Sequence, residues 1–332
     1  MSRDRGPRSR ARGARLASGV AVLLGLALSA CTPGPSDAES TAEVNIVVTT
    51  NILGDVVSQI VGDAANVTTL MRPGADPHSF EISAQQAAQM DEADLLVSNG
   101  LGLEEGLQRH LDRVAAAGGA QFVAGDHVDF VRYAASDAHG EGAAEAVDPH
   151  FWTDPVQMVA VAEALTETLA ALPALDEDAR AAVTERGAAY AAELTAVDAT
   201  MKQRFAEIPP DRRALVTNHH VFGYFAERYD FEVLGTAIPG GTTLAAPSAK
   251  DLDALVTAIT EARVPTIFAE SSSPDRLMRV LADEAGLTVD VVSLFTESLS
   301  EPGAGADTYV AMLHTNTDRI VAGLAPGEPA GR

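Results

Sequence analysis

The chain has 332 residues, 46% apolar and 21% charged, with a formal net charge of −24 at pH 7. That length and composition suit a globular protein of two lobes, each with its own core. The acidic balance argues against nucleic acid as a partner, because phosphate contacts need a basic face. A single cysteine, Cys31, excludes an internal disulfide.

Residues 1–15 carry six Arg (Arg3, Arg5, Arg8, Arg10, Arg12 and Arg15) and one acid, Asp4, and an apolar run from Val20 to Ala30 follows. The run is shorter than the about 20 residues that a membrane span needs and has the shape of a secretory signal. Leu28-Ser29-Ala30-Cys31 resembles the processing box of bacterial lipoproteins. Residues 1–30 therefore read as a lipoprotein signal peptide and Cys31 as the lipidated first residue of the mature chain, against the plainer reading of an ordinary signal with an incidental Cys. Residues 31–43 are small, polar and Pro-containing, and read as a flexible tether. The expectation is an extracytoplasmic protein anchored to the cell membrane by lipid.

From Asn45 the pattern alternates. Asn45–Thr50 is a β-branched run that predicts a buried strand, and Val56, Val57, Ile60 and Val61 fall at helical spacing behind it. Further strands are predicted near residues 67–72, 93–100 and 119–125, with helices over 83–93 and 104–117. This alternation argues for a parallel sheet covered on both faces, over residues 44–173. A helix over 156–172 ends at Pro173. The segment 176–205 then runs without Pro, with Tyr190, Leu194, Val197, Met201 and Phe205 stepping along one helix face. Residues 174–207 are thus expected to form a long linking helix, stopped by Pro209-Pro210. A second α/β lobe over 208–326 follows, with strands at 213–220, 231–238, 266–270 and 288–294. Its helices are expected over 221–229, 249–262 (opened by a capping box from Ser248 to Asp251), 274–285 and 308–324. The fold class is α/β, two Rossmann-like lobes with parallel sheets.

Among eight His, three stand out by placement. Asp76-Pro77-His78 and Asp148-Pro149-His150 repeat one tripeptide, and His219 follows a predicted strand. Pro fixes its own φ and biases the preceding residue towards extended backbone, so each tripeptide holds an imidazole on a stiff turn. The competing reading is that these turns only cap helices, through Ser79 or Thr153.

MRPGADPHSFE, VDPHFWTDP, TNHHVFGYFAERY and SLFTESLSEPGAGADTYVAML, in that order and spacing, resemble the signature segments of the cluster A-I solute-binding proteins, the zinc and manganese lipoproteins of ABC importers. The resemblance runs from about Asn45 to Leu324. It implies a metal site between the lobes with His78, His150 and His219 as ligands and Glu297 as the fourth, where relatives usually carry Asp. The extra methylene leaves the distance and denticity of Glu297 open. His220 falls where relatives often have Asp.

Three imidazoles and one carboxylate suit tetrahedral Zn2+, and Mn2+, which favours more oxygen ligands, is the second choice. The metal would be cargo, passed to a membrane permease driven by an ATPase, with the binding protein a monomer and not an enzyme. Asp76, Asp148 and Asp154 are candidate partners for the ligand imidazoles. Glu270, at the end of a predicted strand, is a cleft acid, a substitute ligand or an ion-pairing residue, and the last is preferred. Zinc-type relatives often carry a His-rich loop before the second Asp-Pro-His. Here residues 136–147 hold only His139 beside acids such as Glu141, so an accessory metal loop competes with a plain solvated one, which is preferred. Two other classes remain: a secreted zinc hydrolase, for which no HExxH is present, and the same scaffold carrying an organic ligand or acting as an adhesin.

Overall fold

The computed structural model describes residues 44–133, 146–238, 240–286 and 290–326. The expected signal peptide, the tether with Cys31, and His139 and Glu141 lie outside the described residues. No helix among the described residues is long and apolar enough to cross a membrane.

The first sheet is built from β1 (Asn45–Val48), β2 (Asn66–Thr69), β3 (Leu95–Ser98) and β4 (Gln121–Val123), all parallel, in the order β2-β1-β3-β4. The central strands β1 and β3 carry continuous apolar runs because both faces are covered. Helix α1 (Asn51–Val61) buries Val56, Val57, Ile60 and Val61 against the sheet, and α2 (Ala84–Glu92) opens with a capping box of Ser83 and Gln86. Helix α3 (Gln108–Ala116) begins later than the periodicity predicts. Glu104 is buried, and its carboxylate accepts the N–H groups of Asn99 and Gly100 and the Thr49 hydroxyl. Gly100, Leu101 and Gly102 all take positive φ there, so the chain turns around that carboxylate before a helix can start.

Helix α4 (Pro155–Ala170) has Pro at its first position and Asp154 as its cap, which accepts the Val156 N–H at 2.8 Å. Helix α5 (Glu177–Phe205) is capped by Asp176, with Glu177 and Asp178 in its first turn and Lys202 and Arg204 in its last, each sign placed to suit the helix dipole. Its 29 residues reach about 43 Å at 1.5 Å each, enough to run past both lobes. Val183, Tyr190, Leu194, Val197, Met201 and Phe205 form its buried face.

The second lobe holds β5 (Ala214–Thr217) paired with β6 (Glu232–Thr236), and β7 (Thr266–Glu270) paired with β8 (Asp290–Leu294), both pairs parallel. Strand β5 lies beside β7, so the spatial order β6-β5-β7-β8 matches that of the first lobe. Around them pack α6 (Gly223–Tyr229), α7 (Ala249–Ala262), α8 (Arg276–Glu284) and α9 (Tyr309–Leu324). The expected Ser248–Asp251 capping box is present on α7. At the far end of α5, Asp198 accepts from Arg228, Lys202 and Tyr229, while Phe205 packs on Phe225, Tyr229 and Phe231 at 5.0–5.3 Å.

One hydrophobic cluster runs through both lobes, from Ile46 and Val56 through Trp152, Tyr190 and Leu194 to Phe225, Tyr309 and Leu324. Helix α5 packs on α1 and α4 of the first lobe and on α9 of the second. Its approach to α4 depends on Gly187, where an added Cβ would lie 2.0 Å from Thr166 Oγ1. Thr166 is buried and donates to the Ala162 carbonyl at 2.6 Å, so it cannot rotate away without losing that bond. Gly187→Val is therefore expected to destabilise the protein by about 1–3 kcal/mol, a few degrees of melting temperature in a calorimetric scan. An unchanged melting temperature would show that the two helices can slide apart at no cost.

Candidate metal centre

The two Asp-Pro-His turns are built alike. Asp76 Oδ1 accepts the His78 N–H at 2.9 Å, and Asp148 Oδ1 accepts the His150 N–H at 3.0 Å. Each Asp thus closes a small ring over its own Pro and presets the direction of the His side chain. Neither turn caps a helix through Ser79 or Thr153: the Ser79 hydroxyl donates to Asp76 Oδ2 and that of Thr153 to the His150 carbonyl. His78 lies in the loop after β2, His219 follows β5, and Glu297 follows β8, at the carboxyl ends of parallel strands where α/β folds present ligands. His150 stands just before α4, after an isolated antiparallel bridge between Arg132 and Val147.

These four side chains meet. His78, His150, His219 and Glu297 are each at most 1% exposed, and one ligand-type atom from each lies within 4.8 Å of the others. His150 Nε2 stands 3.2 Å from His78 Nε2 and 3.3 Å from His219 Nε2. Glu297 turns Oε2 to His78 at 3.4 Å, and Oε1 to His150 at 3.5 Å and His219 at 3.6 Å. Neither Glu297 oxygen has a hydrogen-bond partner, although both are buried. A buried carboxylate left without donors among three imidazole nitrogens is costly unless a cation completes it. The separations measured from His150 and from the two Glu297 oxygens, 3.2–3.6 Å, are edge lengths that place a tetrahedral centre about 2.0–2.2 Å from its corners, the range of zinc–nitrogen and zinc–oxygen bonds.

The opposite ring nitrogens are held. His150 Nδ1 bonds Asp148 Oδ1 at 2.6 Å, and His219 Nδ1 bonds Glu270 Oε1, which also accepts the His219 N–H. A carboxylate only accepts, so each Nδ1 carries the proton and each Nε2 turns inward. Tyr133 adds a second donor to Asp148 Oδ1 at 3.2 Å. Burial pushes the His150 imidazole well below its usual range and raises Asp148 to about 6. Burial also acts to lower His219, but Glu270 outweighs it and raises the imidazole to about 9. Burial acts to raise Glu297, and the surrounding imidazoles, His150 foremost, hold it below its ordinary value.

Glu270 therefore appears as an ion-pairing acid behind His219, and Asp148, of the three candidate aspartates, stands behind a ligand-type ring. Asp154 caps α4. Asp76 instead accepts the Thr243 hydroxyl at 2.6 Å from the second lobe. His220 is buried outside the cluster, its ring edge-on to Tyr133 at 5.0 Å and its Nδ1 4.0 Å from Asp148 Oδ2. Sequence reasoning did not single out Tyr133, Asn51 or the lone Trp152. Nothing local marks the first two, whereas a single Trp next to an Asp-Pro-His turn was a usable signal.

Known proteins resemble this chain along most of its length. The family described as "Zinc-uptake complex component A periplasmic" matches residues 46–323. The zinc-binding protein TroA of Treponema pallidum (strain Nichols) is 32% identical over 297 residues, which cover 88% of this chain and 92% of that protein. The manganese ABC transporter substrate-binding lipoprotein PsaA of Streptococcus pneumoniae is 28% identical over 316 residues, 93% of this chain and 97% of that one. The solved structure of periplasmic zinc-binding protein TroA from Treponema pallidum matches with a TM-score of 0.76 at 29% identity, covering 86% of this chain and 100% of that one.

If Asp148 and Glu270 hold the two rings as described, Asp148→Asn and Glu270→Gln should each weaken zinc binding about 10–100-fold, measured by competition with a chromophoric chelator. Wild-type affinity in both variants would mean that the rings need no partner to converge.

Proposed function

The chain belongs to the zinc-uptake complex component A family, and from that premise we propose that its cargo is Zn2+, held by His78, His150, His219 and Glu297. Members are metal-binding proteins of ABC importers rather than enzymes; they work outside the cytoplasm with a membrane permease and its ATPase. The observation that carries zinc is the donor set: three imidazole nitrogens and one carboxylate, all buried, brought within 4.8 Å of one another. The zinc-binding name of the TroA relative points the same way. Four protein ligands close the site, whereas a hydrolytic zinc keeps one position open for water.

Manganese is the second reading, favoured by one feature of the site. Glu297 faces the imidazoles with both oxygens, so it can supply two oxygen ligands and raise the coordination number, and the PsaA relative is named for manganese. In this reading of the whole chain, Cys31 carries the lipid, residues 31–43 tether a monomer to the membrane, and α5 limits how far lobes 44–173 and 208–326 swing apart.

Competitive zinc and manganese titrations of the wild type and of His78→Ala, His150→Ala, His219→Ala and Glu297→Ala test the assignment. Zinc affinity should fall in each variant by more than the roughly 10–100-fold typical of outer partners. Four variants with native affinity would place the ion elsewhere, and a wild type preferring manganese would replace zinc by the second reading. For the anchor, Cys31→Ser should move the protein from the membrane fraction to the soluble extracytoplasmic fraction on immunoblots; unchanged fractionation would rule out lipidation there.

A further inference from the structure

Glu297 has no donor of its own to hold it. Its carboxylate is buried and unbonded, so its place relative to His78 is set by the backbone that carries it. That backbone belongs to the second lobe but is tied to the first on both sides. Before Glu297, the Thr296 carbonyl accepts the Trp152 indole N–H at 2.7 Å. After it, a single amide does most of the work. Asn51 Oδ1 accepts the Leu299 N–H at 2.9 Å, and Asn51 Nδ2 donates to Ser298 Oγ at 2.6 Å.

The same Nδ2 donates to the Arg72 carbonyl at 3.2 Å. Arg72 opens the loop that leads to His78, and Gly74 in that loop donates to Ser298 Oγ at 2.9 Å and to the Leu299 carbonyl at 3.1 Å. Asn51 itself is fixed at the first turn of α1 and is 7% exposed. One side-chain amide therefore joins the loop of His78 to the segment of Glu297, across more than 240 residues of sequence.

We propose that Asn51 is a positioning residue that fixes the 3.4 Å edge between His78 Nε2 and Glu297 Oε2 and thereby sets the preference between small tetrahedral ions and larger ones. The inference rests on His78 and Glu297 being ligands, as proposed above. A fixed edge of this length suits a tetrahedral ion at about 2.0–2.2 Å, whereas manganese takes more ligands and gains when the carboxylate is free to move. The amide spends nearly all its bonding capacity on this link, which a helix-starting Asn exposed to water would not need to do.

The test is a paired titration of Asn51→Ala with zinc and manganese, together with the visible spectrum of the Co2+-loaded protein. Zinc affinity should fall about 10–100-fold and manganese affinity by at most about threefold, so that the preference narrows. The Co2+ bands should lose intensity as the tetrahedral field relaxes. Equal losses for both metals, or a lower melting temperature with the affinity ratio and the Co2+ spectrum unmoved, would overturn the inference and leave Asn51 a purely structural residue. Ser298→Ala, which deletes only a hydroxyl, should shift ratio and spectrum the same way by less, and serves if the Asn51 variant fails to fold. A wild type that binds no zinc would sink the ligand assignment itself. Wild-type binding with unaltered ratios in both variants would sink this inference alone.

Discussion

Imidazoles aim their inner nitrogens at one point more firmly when something grips the far side of the ring. In this protein that grip comes from buried carboxylates, Asp148 behind His150 and Glu270 behind His219. Much of the surrounding architecture serves to bring those acids into place. Glu270 is the last residue of β7, and the β5–β7 neighbourhood sets it against a histidine 51 positions earlier. Asp148 does two jobs with one oxygen, closing its own turn and steering the ring that the turn carries. His78 shares the turn but not the buried partner; its Asp76 faces Thr243 of the other lobe instead.

Much of this was legible in the chain. Strand and helix periods located every element of both sheets, because β-branched runs buried on two faces and helices with one apolar face leave distinct signatures. Boundaries slipped where a side chain overrode local preference, as Glu104 did in delaying α3. The three histidines were visible because Pro and strand ends constrain their backbones, and Glu297 because the surrounding segment resembles a family motif. What could not be read was anything resting on long-range pairing. That Asn51 meets Ser298, that Glu270 stands behind the His219 ring, and that Tyr133 backs Asp148 are facts of three-dimensional register, for which one sequence holds no local mark.

Helix α5 reads in the sequence as a linker, but packing gives it a larger part than length alone suggests. It touches helices of both lobes and carries the glycine that lets α4 lie close. Tyr309, at the start of α9, reinforces the same junction: its hydroxyl donates to the Trp152 carbonyl at 2.6 Å, and its backbone N–H bonds Asp55 on α1. The residues beside His150 and those that begin the last helix are thus part of one packed body.

The hydrophobic cluster that passes without a seam from Ile46 to Leu324 has a thermodynamic corollary. Each lobe keeps a smaller apolar cluster of its own, but neither can melt without exposing its part of the shared one, so their unfolding is expected to be coupled. A ligand held between them then lends its binding free energy, RT ln(1 + [L]/Kd), to the whole folded body and not to either half.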